Sequence, residues 1–306
     1  MEHAKNQTRT NSTTRHTRST RRALRREVPS TVGLLADRED FDAMRAYRTF
    51  TFDSHGTYLQ QVDDLLKTLS AEGLHTSVAL FDPEEFAEFC MSTGLDPDRP
   101  ETRARFTAQV AARGACVPYT GEPVDRIIPV LVDTAVRRAT WDCATLLLTG
   151  LGDCASCGED IGKEAFERSS HLLVALLKGA GHGTHHLVCS VPAEGEQLLS
   201  VLHAEAGTDG VPELSDDEGA EFVTVLAAGI ALESPGGVVL RTTRDGRPDR
   251  VYGWRLDRGG LRALTEAEVF NAYCTDAETG EPVSPESGVD YCAGYPLEED
   301  PGPHHH

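Results

Sequence analysis

The first part of the chain alternates between strand-like and helix-like patterns of apolar residues. Residues 47–53 (YRTFTFD) alternate aromatic and polar side chains as a half-buried strand does, and 75–81 (HTSVALF) form a second predicted strand. Between them, residues 57–72 carry their apolar side chains on one helical stripe that ends at Gly73. A further helix opens at 82–85 (DPEE). This succession predicts a small parallel sheet with right-handed crossovers.

The middle of the chain has a mainly helical pattern. A turn at 96–98 leads into a predicted helix at 101–113 and a short strand at 115–119. Residues 124–148 are helical in pattern, with an interruption at Pro129. Because the apolar face of this helix is wide, we expect the helix to be buried.

The second half of the chain mixes helices with strands. A helix at 161–178 precedes a strand at 185–191, and residues 197–204 fit either a partner strand or a short helix. Ser215 and Glu218 have the spacing of a capping box, in which each side chain accepts from the backbone of the other residue. This spacing predicts the start of another helix.

The last predicted elements follow an antiparallel hairpin. Strands at 238–244 and 250–256 flank a turn that contains Asp-Gly, and a short third strand follows. Alternate residues of the second strand are expected to form its buried side, namely Tyr252, Trp254 and Leu256. Thr265 and Glu268 form a second predicted capping box, which opens a helix that ends near Tyr273.

These patterns predict an α/β fold in which a small parallel strand–helix alternation is followed by an α+β part with an antiparallel hairpin. The α+β part is either a separate domain or one unit with the part before it. The predicted boundaries are a disordered basic tail at 1–30, an α/β domain at 31–121, an α+β domain at 122–273, and an acidic, loosely ordered tail at 274–306.

Charge is unevenly distributed along the 306 residues, whose net charge is −20. Residues 1–27 carry eight basic and two acidic residues, and the rest of the chain carries 21 basic and 47 acidic residues. An acidic body repels phosphate backbones, so contact with nucleic acid is expected only through the basic tail. No apolar run approaches the roughly 20 residues that a membrane helix needs, so we expect no membrane association.

The location of the protein is predicted from its tail and its cysteines. Arg21-Arg22 is followed by Ala-Leu-Arg-Arg and not by the apolar segment of an export signal. Eight cysteines are spread along a long chain, several of them in apolar surroundings where a reduced thiol behaves as a small hydrophobe. Both observations favour the cytoplasm.

Residues 152–160 (GDCASCGED) carry the motif with the most chemical content. Cys154 and Cys157 followed by Gly158 match a zinc knuckle, in which the glycine adopts a positive φ and backbone amides donate to the sulfurs. His185 and Cys189, on one face of a predicted strand, are the expected second pair of ligands for a structural zinc. Plain reduced thiols are the first interpretation of this pair, ahead of a structural metal site. A redox pair comes last, because the surrounding carboxylates are expected to raise the thiol pKa values.

A second candidate site consists of carboxylates at predicted strand ends. Asp53 and Asp82 each follow a predicted parallel strand, and ligands of open α/β sheets collect at those ends. With His55 nearby, these residues could hold Mg²⁺ for hydrolysis or phosphoryl transfer. The alternative is structural, because Asp before Pro83 is also what the start of a helix requires.

Three segments resemble an uncharacterised family of actinobacterial cytoplasmic proteins: HTSVALFDPEEFAEFC, CGEDIGKEAFERSSHLL and GVDYCAGY. The resemblance covers most of the chain after the tail, and it implies no activity. The leading hypothesis is therefore a non-catalytic regulatory or protein-interaction protein with a protein partner and a structural zinc. The alternatives are the metal-dependent enzyme and a nucleic-acid contact through the tail.

Overall fold

The computed structural model describes residues 30–193, 195–207, 212–257, 259–276 and 279–297. The chain divides into two compact units, Met1–Arg138 and Ala139–His306. Helices and strands are mixed in both units, which confirms the predicted α/β fold. Of the predicted tail at 1–30, only Ser30 lies within the described residues.

Unit 1 is built on a three-stranded sheet with the order β1-β2-β3. Strands β1 (Ser30–Leu34) and β2 (Thr76–Leu80) pair in parallel over five residues, as the strand–helix alternation predicts. Strand β3 (Cys116–Pro118) instead pairs antiparallel to β2. Because β1 and β2 are parallel, their carboxyl ends lie at the same edge of the sheet.

Among the described residues of unit 1, four complete helices surround this sheet: α1 (Arg38–Met44), α2 (His55–Ala71), α3 (Pro83–Thr93) and α4 (Pro100–Ala112). The core that they share with the sheet is rich in aromatic side chains, and Phe86 packs against Phe81 and Phe106 with ring centroids 5.2 and 5.5 Å apart. Helix α5 (Val124–Gly150) contributes its first part to unit 1 and its last part to unit 2.

The predicted strand at 47–53 is wrong, because these residues form turns between α1 and α2. Their alternating aromatic residues pack against neighbouring rings instead of pairing with a strand. Phe50 lies 5.5 Å from Phe41, and Phe52 lies 5.1 Å from Tyr58, as measured between ring centroids. The first strand of the sheet is β1, which the sequence pattern did not reveal.

Unit 2 contains a larger, mostly antiparallel sheet with the order β10-β8-β7-β4-β5-β6, in which β9 pairs with β8. Its strands are β4 (Gly183–Ala193), β5 (Glu196–Ala206), β6 (Pro212–Leu214), β7 (Gly237–Thr243), β8 (Asp249–Asp257), β9 (Gly260–Ala263) and β10 (Val289–Tyr291). The ambiguous segment at 197–204 is thus a strand. The predicted hairpin is formed by β7 and β8.

The described residues of unit 2 include three complete helices: α6 (Ile161–Ala180), α7 (Asp216–Ala231) and α8 (Glu266–Tyr273). Residues 221–230 of α7 are all buried, because α7 lies between the sheet and other elements of the unit. Gly229 allows close packing, since a Cβ atom there would lie 2.8 Å from the Val191 side chain in β4. The core of unit 2 therefore sits on one face of the sheet.

Two local predictions about helices need correction. The Ser215 side chain makes no capping hydrogen bond, and the Glu218 carboxylate accepts from the backbone N–H of His203 at 2.8 Å. Helix α5 is only partly buried, since Val130, Val136 and Leu146 are exposed on it. The neighbouring elements cover only part of the apolar face of this helix.

The last described residues belong to the segment predicted to be loosely ordered, and they pair and pack with other elements of unit 2. Strand β10 pairs in parallel with β8 from Val289 to Tyr291. Beyond it, the backbone carbonyl of Tyr295 accepts from the Trp254 indole N–H at 3.0 Å. The Tyr295 hydroxyl donates to the carbonyl of Leu176 in α6.

Candidate functional site

Residues 152–160, here called the dithiol turn, form a closed loop between α5 and α6. Asp153 and Asp160 form an isolated antiparallel bridge at its base. Inside the loop, the backbone N–H of Cys154 donates to the carbonyl of Glu159 at 2.7 Å, and the N–H of Gly158 donates to the carbonyl of Cys154 at 2.8 Å. These backbone hydrogen bonds hold both cysteines in one turn.

Glycine is required where this loop reverses direction. Gly152 has a φ of +70° and Gly158 a φ of +76°, a conformation that costs other residues about 1 kcal/mol or more. The predicted positive φ after the second cysteine is therefore confirmed. Next to the loop, a Cβ atom on Gly162 would lie 2.8 Å from the carbonyl oxygen of Leu148, so the start of α6 approaches the end of α5 closely.

The Cys154 sulfur lies close to hydrogen-bond donors. Its distance from the Ser156 Oγ is 3.0 Å. The Ser156 hydroxyl, the backbone N–H groups of Ser156 and Cys157, and the Cys157 thiol together lower the pKa of Cys154 to about 6. The predicted rise in its pKa is wrong, because donors in direct contact outweigh exposed carboxylates that solvent screens.

The Cys157 sulfur has a different environment. The backbone N–H of Glu159 lowers the pKa of Cys157, but desolvation and the neighbouring Cys154 sulfur together raise it above its ordinary value. Each sulfur is among the causes of the other's pKa shift, so the two side chains are neighbours in the turn. Backbone amides directed at both sulfurs are the arrangement expected of a zinc knuckle.

Helix α6 begins after the dithiol turn and does not include either cysteine. Its first residue is Ile161, and the Asp160 carboxylate caps it by accepting from the N–H of Lys163 at 2.7 Å. In thioredoxin-like dithiols the thiolate is commonly stabilised by a helix N-terminus. Here the N-terminus of α6 is capped by the Asp160 carboxylate and not by a cysteine sulfur.

The structure does not bring His185 and Cys189 to the dithiol turn. Both lie on one face of β4, as predicted, but that face is packed into the core. The His185 Nε2–H donates to the carbonyl of Gly181 at 2.9 Å, and its Nδ1 accepts from the Thr242 hydroxyl at 3.1 Å. Burial lowers the pKa of His185 and raises that of Cys189 to about 12. Within the described residues, no three His, Cys, Asp or Glu side chains cluster as a metal site.

The predicted carboxylate site is only partly assembled. Asp82 lies at the carboxyl end of β2, where it caps α3 by accepting from the N–H groups of Glu84 and Glu85 at 2.7 and 3.0 Å. His55, at the start of α2, has its Nε2 3.1 Å from the carbonyl oxygen of Leu35, just after β1. Asp53 is exposed in the turns that replace the predicted strand, so it does not lie at a strand end.

Two carboxylates at this edge were missed because β1 was missed. Asp37 caps α1 by accepting from the N–H of Asp40 at 2.9 Å. The pKa of Asp40 is raised to about 6. Partial burial is the largest cause, and the charges of Asp37 and Asp82 are the next largest. Asp37 and Asp82 both cap helices, and for Asp82 this is the structural alternative that the sequence predicts.

No helix in the described part of the chain is both long enough and apolar enough to cross a membrane.

No curated protein and no solved structure matches the chain. A family model matches residues 19–122, and this range does not reach the dithiol turn or the segments CGEDIGKEAFERSSHLL and GVDYCAGY. Over residues 19–122, which include HTSVALFDPEEFAEFC, the chain is similar to the family described as Domain of unknown function (DUF8829).

Proposed function

We propose that this chain is a non-catalytic protein-interaction protein whose dithiol turn binds a structural zinc ion through Cys154 and Cys157. The observation that carries the proposal is the knuckle geometry. The Cys154 N–H donates to the carbonyl of Glu159 and the Gly158 N–H to the carbonyl of Cys154, so both cysteines lie in one closed turn, and Gly158 has the positive φ of a knuckle. Zinc binds thiolates, and the lowered pKa of Cys154 favours the thiolate form.

The surroundings of the turn favour a metal ion over a redox pair. The helix N-terminus that would stabilise a reactive thiolate is occupied by the Asp160 carboxylate. Asp153 and Glu159 are exposed beside the thiols and add negative charge. Negative charge attracts a divalent cation but disfavours the approach of an anionic thiolate substrate.

Exposed apolar side chains near the turn favour an interaction role. Leu146 is 73% exposed close to the end of α5, and Phe166 is 40% exposed close to the start of α6. These exposed apolar side chains come shortly before and shortly after the dithiol turn in the chain, and we infer that a partner covers them. A zinc ion would fix the loop that separates them.

The proposed location is the cytoplasm, and the proposed family is an actinobacterial one. All eight cysteines are free thiols, including the buried Cys90, Cys189 and Cys274. Reduced cysteines in these numbers suit a reducing compartment, where a thiolate–zinc site is also stable. The three segments on which the expected resemblance rests support the actinobacterial origin.

Zinc analysis of the reduced protein tests this function. We expect the wild-type chain, purified without chelator, to retain zinc after dialysis, and Cys154→Ser and Cys157→Ser to lose it. Cys292→Ser is the matched control, because Cys292 is also half-buried but contacts the carbonyl of Asp290 at 3.6 Å. Elemental analysis by mass spectrometry measures the metal.

Two results would contradict the proposal. One is equal zinc content in wild type and Cys154→Ser. The other is a metal-free wild-type protein that forms a reversible Cys154–Cys157 disulfide without loss of stability, because that behaviour belongs to a redox pair.

A further inference from the structure

The dithiol turn provides two thiolates, whereas a structural zinc site requires four ligands. Within residues 30–193, 195–207, 212–257, 259–276 and 279–297, no third His, Cys, Asp or Glu joins the pair as a metal ligand. Cys157 is exposed and Cys154 is half-buried. Both sulfurs can therefore be reached by ligands from outside this part of the chain.

We propose that Cys154 and Cys157 of a second copy of this chain complete the site, so that one zinc ion joins two chains. This inference rests on the proposed zinc binding. Two identical knuckles related by a two-fold axis supply a Cys₄ set, and a two-fold contact uses the same surface on both copies. Binding of one Zn²⁺ by four thiols releases up to four protons to solvent and involves no redox change.

The surface around the turn suits a contact between copies. Leu146 lies four residues before the end of α5, about 6 Å along the helix axis, and Phe166 lies five residues after the start of α6, about 7.5 Å. Val174, two turns further along α6, is 63% exposed. A second copy that shares the zinc would approach these apolar side chains and remove them from water.

Charge makes the contact depend on the metal. The chain has a net charge of −20, and Asp153, Glu159 and Asp160 lie beside the two thiols. Two such turns repel each other when no cation lies between them. We therefore expect monomers without zinc and dimers with zinc, and added salt should not dissociate the zinc-bound dimer because it screens the repulsion between the two chains.

Zinc titration of the reduced, metal-free full chain tests this arrangement. Native mass spectrometry and light scattering are expected to show a dimer at one zinc per two chains. Co²⁺ in place of zinc is expected to give the absorption of a tetrahedral four-sulfur site. Cys154→Ser and Cys157→Ser are expected to remain monomeric, whereas Cys292→Ser is expected to dimerise as wild type does.

The outcomes separate this inference from the proposed function. A monomer that binds one zinc per chain would overturn the shared site and leave the proposed zinc function intact. A wild-type chain that binds no zinc would overturn both. A dimer that forms equally well without zinc, or in Cys154→Ser, would also overturn the shared site.

A substitution outside the metal ligands tests the contact surface. Leu146→Ser is expected to weaken the zinc-bound dimer about tenfold or more, because it removes apolar surface beside the turn. Leu65→Ser is the matched control, because Leu65 is an exposed leucine of a helix in unit 1. Equal dimer affinity of the two variants would show that the copies do not meet at this surface.

Discussion

At the scale of single residues, the environment of Asp40 has a measurable consequence. The pKa of Asp40 is raised from its ordinary value of 3.8 to about 6, first by burial and then by Asp37, Asp82, Glu39 and Glu84. A carboxyl with a raised pKa in the folded state destabilises the fold once the pH rises above its unfolded value. This penalty grows from about pH 4 to about pH 6 and is fully present above that range.

We therefore expect Asp40→Asn to stabilise the protein by about 1 kcal/mol at pH 7, a value reduced because the side chain is partly exposed to solvent. The gain should vanish at about pH 3, where the carboxyl is protonated in both states. Urea unfolding at the two pH values measures it. Asp42→Asn in the same helix, which loses a 3.8 Å ion pair with Arg45, should show no such gain. A gain for Asp40→Asn that is equal at both pH values would contradict this explanation.

At the scale of elements, the sequence predicts where most helices begin but not always what caps them. The capping box at Thr265 is confirmed, because the Thr265 side chain accepts from the N–H of Glu268 and the Glu268 carboxylate accepts in return. Ser215 and Glu218 have the same spacing, yet the box does not form. Glu218 accepts from strand β5 instead, and local spacing contains no information about that neighbour.

This difference predicts unequal effects of two similar substitutions. Thr265→Ala should destabilise unit 2 by about 1 kcal/mol, because it removes a cap hydrogen bond. Ser215→Ala should change stability by less than about 0.5 kcal/mol, because that hydroxyl makes no such bond. Urea denaturation followed by tryptophan fluorescence compares them, and equal losses would mean that Ser215 also caps its helix.

At the scale of the whole molecule, the chain has two hydrophobic cores that share no residue among the described positions. Phe86 is fully buried in the core of unit 1, and Phe222 is fully buried in the core of unit 2. Truncation of either ring should cost about 3–5 kcal/mol. The loss should be confined to the unit that contains the substitution.

Hydrogen exchange with mass spectrometry locates the loss. Phe86→Ala is expected to reduce protection in β1, β2 and the helices around them, and Phe222→Ala in β4, β5 and α7. If Phe86→Ala reduced protection in both units to the same extent, the two cores would have to be treated as one cooperative unit.

The sequence alone determined most elements, the hairpin and the positive φ of Gly158, because each depends on residues close together in the chain. It also predicted a parallel strand pair, but it assigned the first strand to 47–53 and not to β1. The prediction of a strand at 47–53 is wrong. The same alternation of aromatic and polar residues can occur in a strand or in turns whose aromatic side chains pack against other rings, such as Phe41. Only the tertiary structure decided that β1 lies beside β2. It also placed His185 and Cys189 in the core, away from Cys154 and Cys157. Alternation along a strand shows which residues share a face, but what covers that face depends on distant segments such as α7.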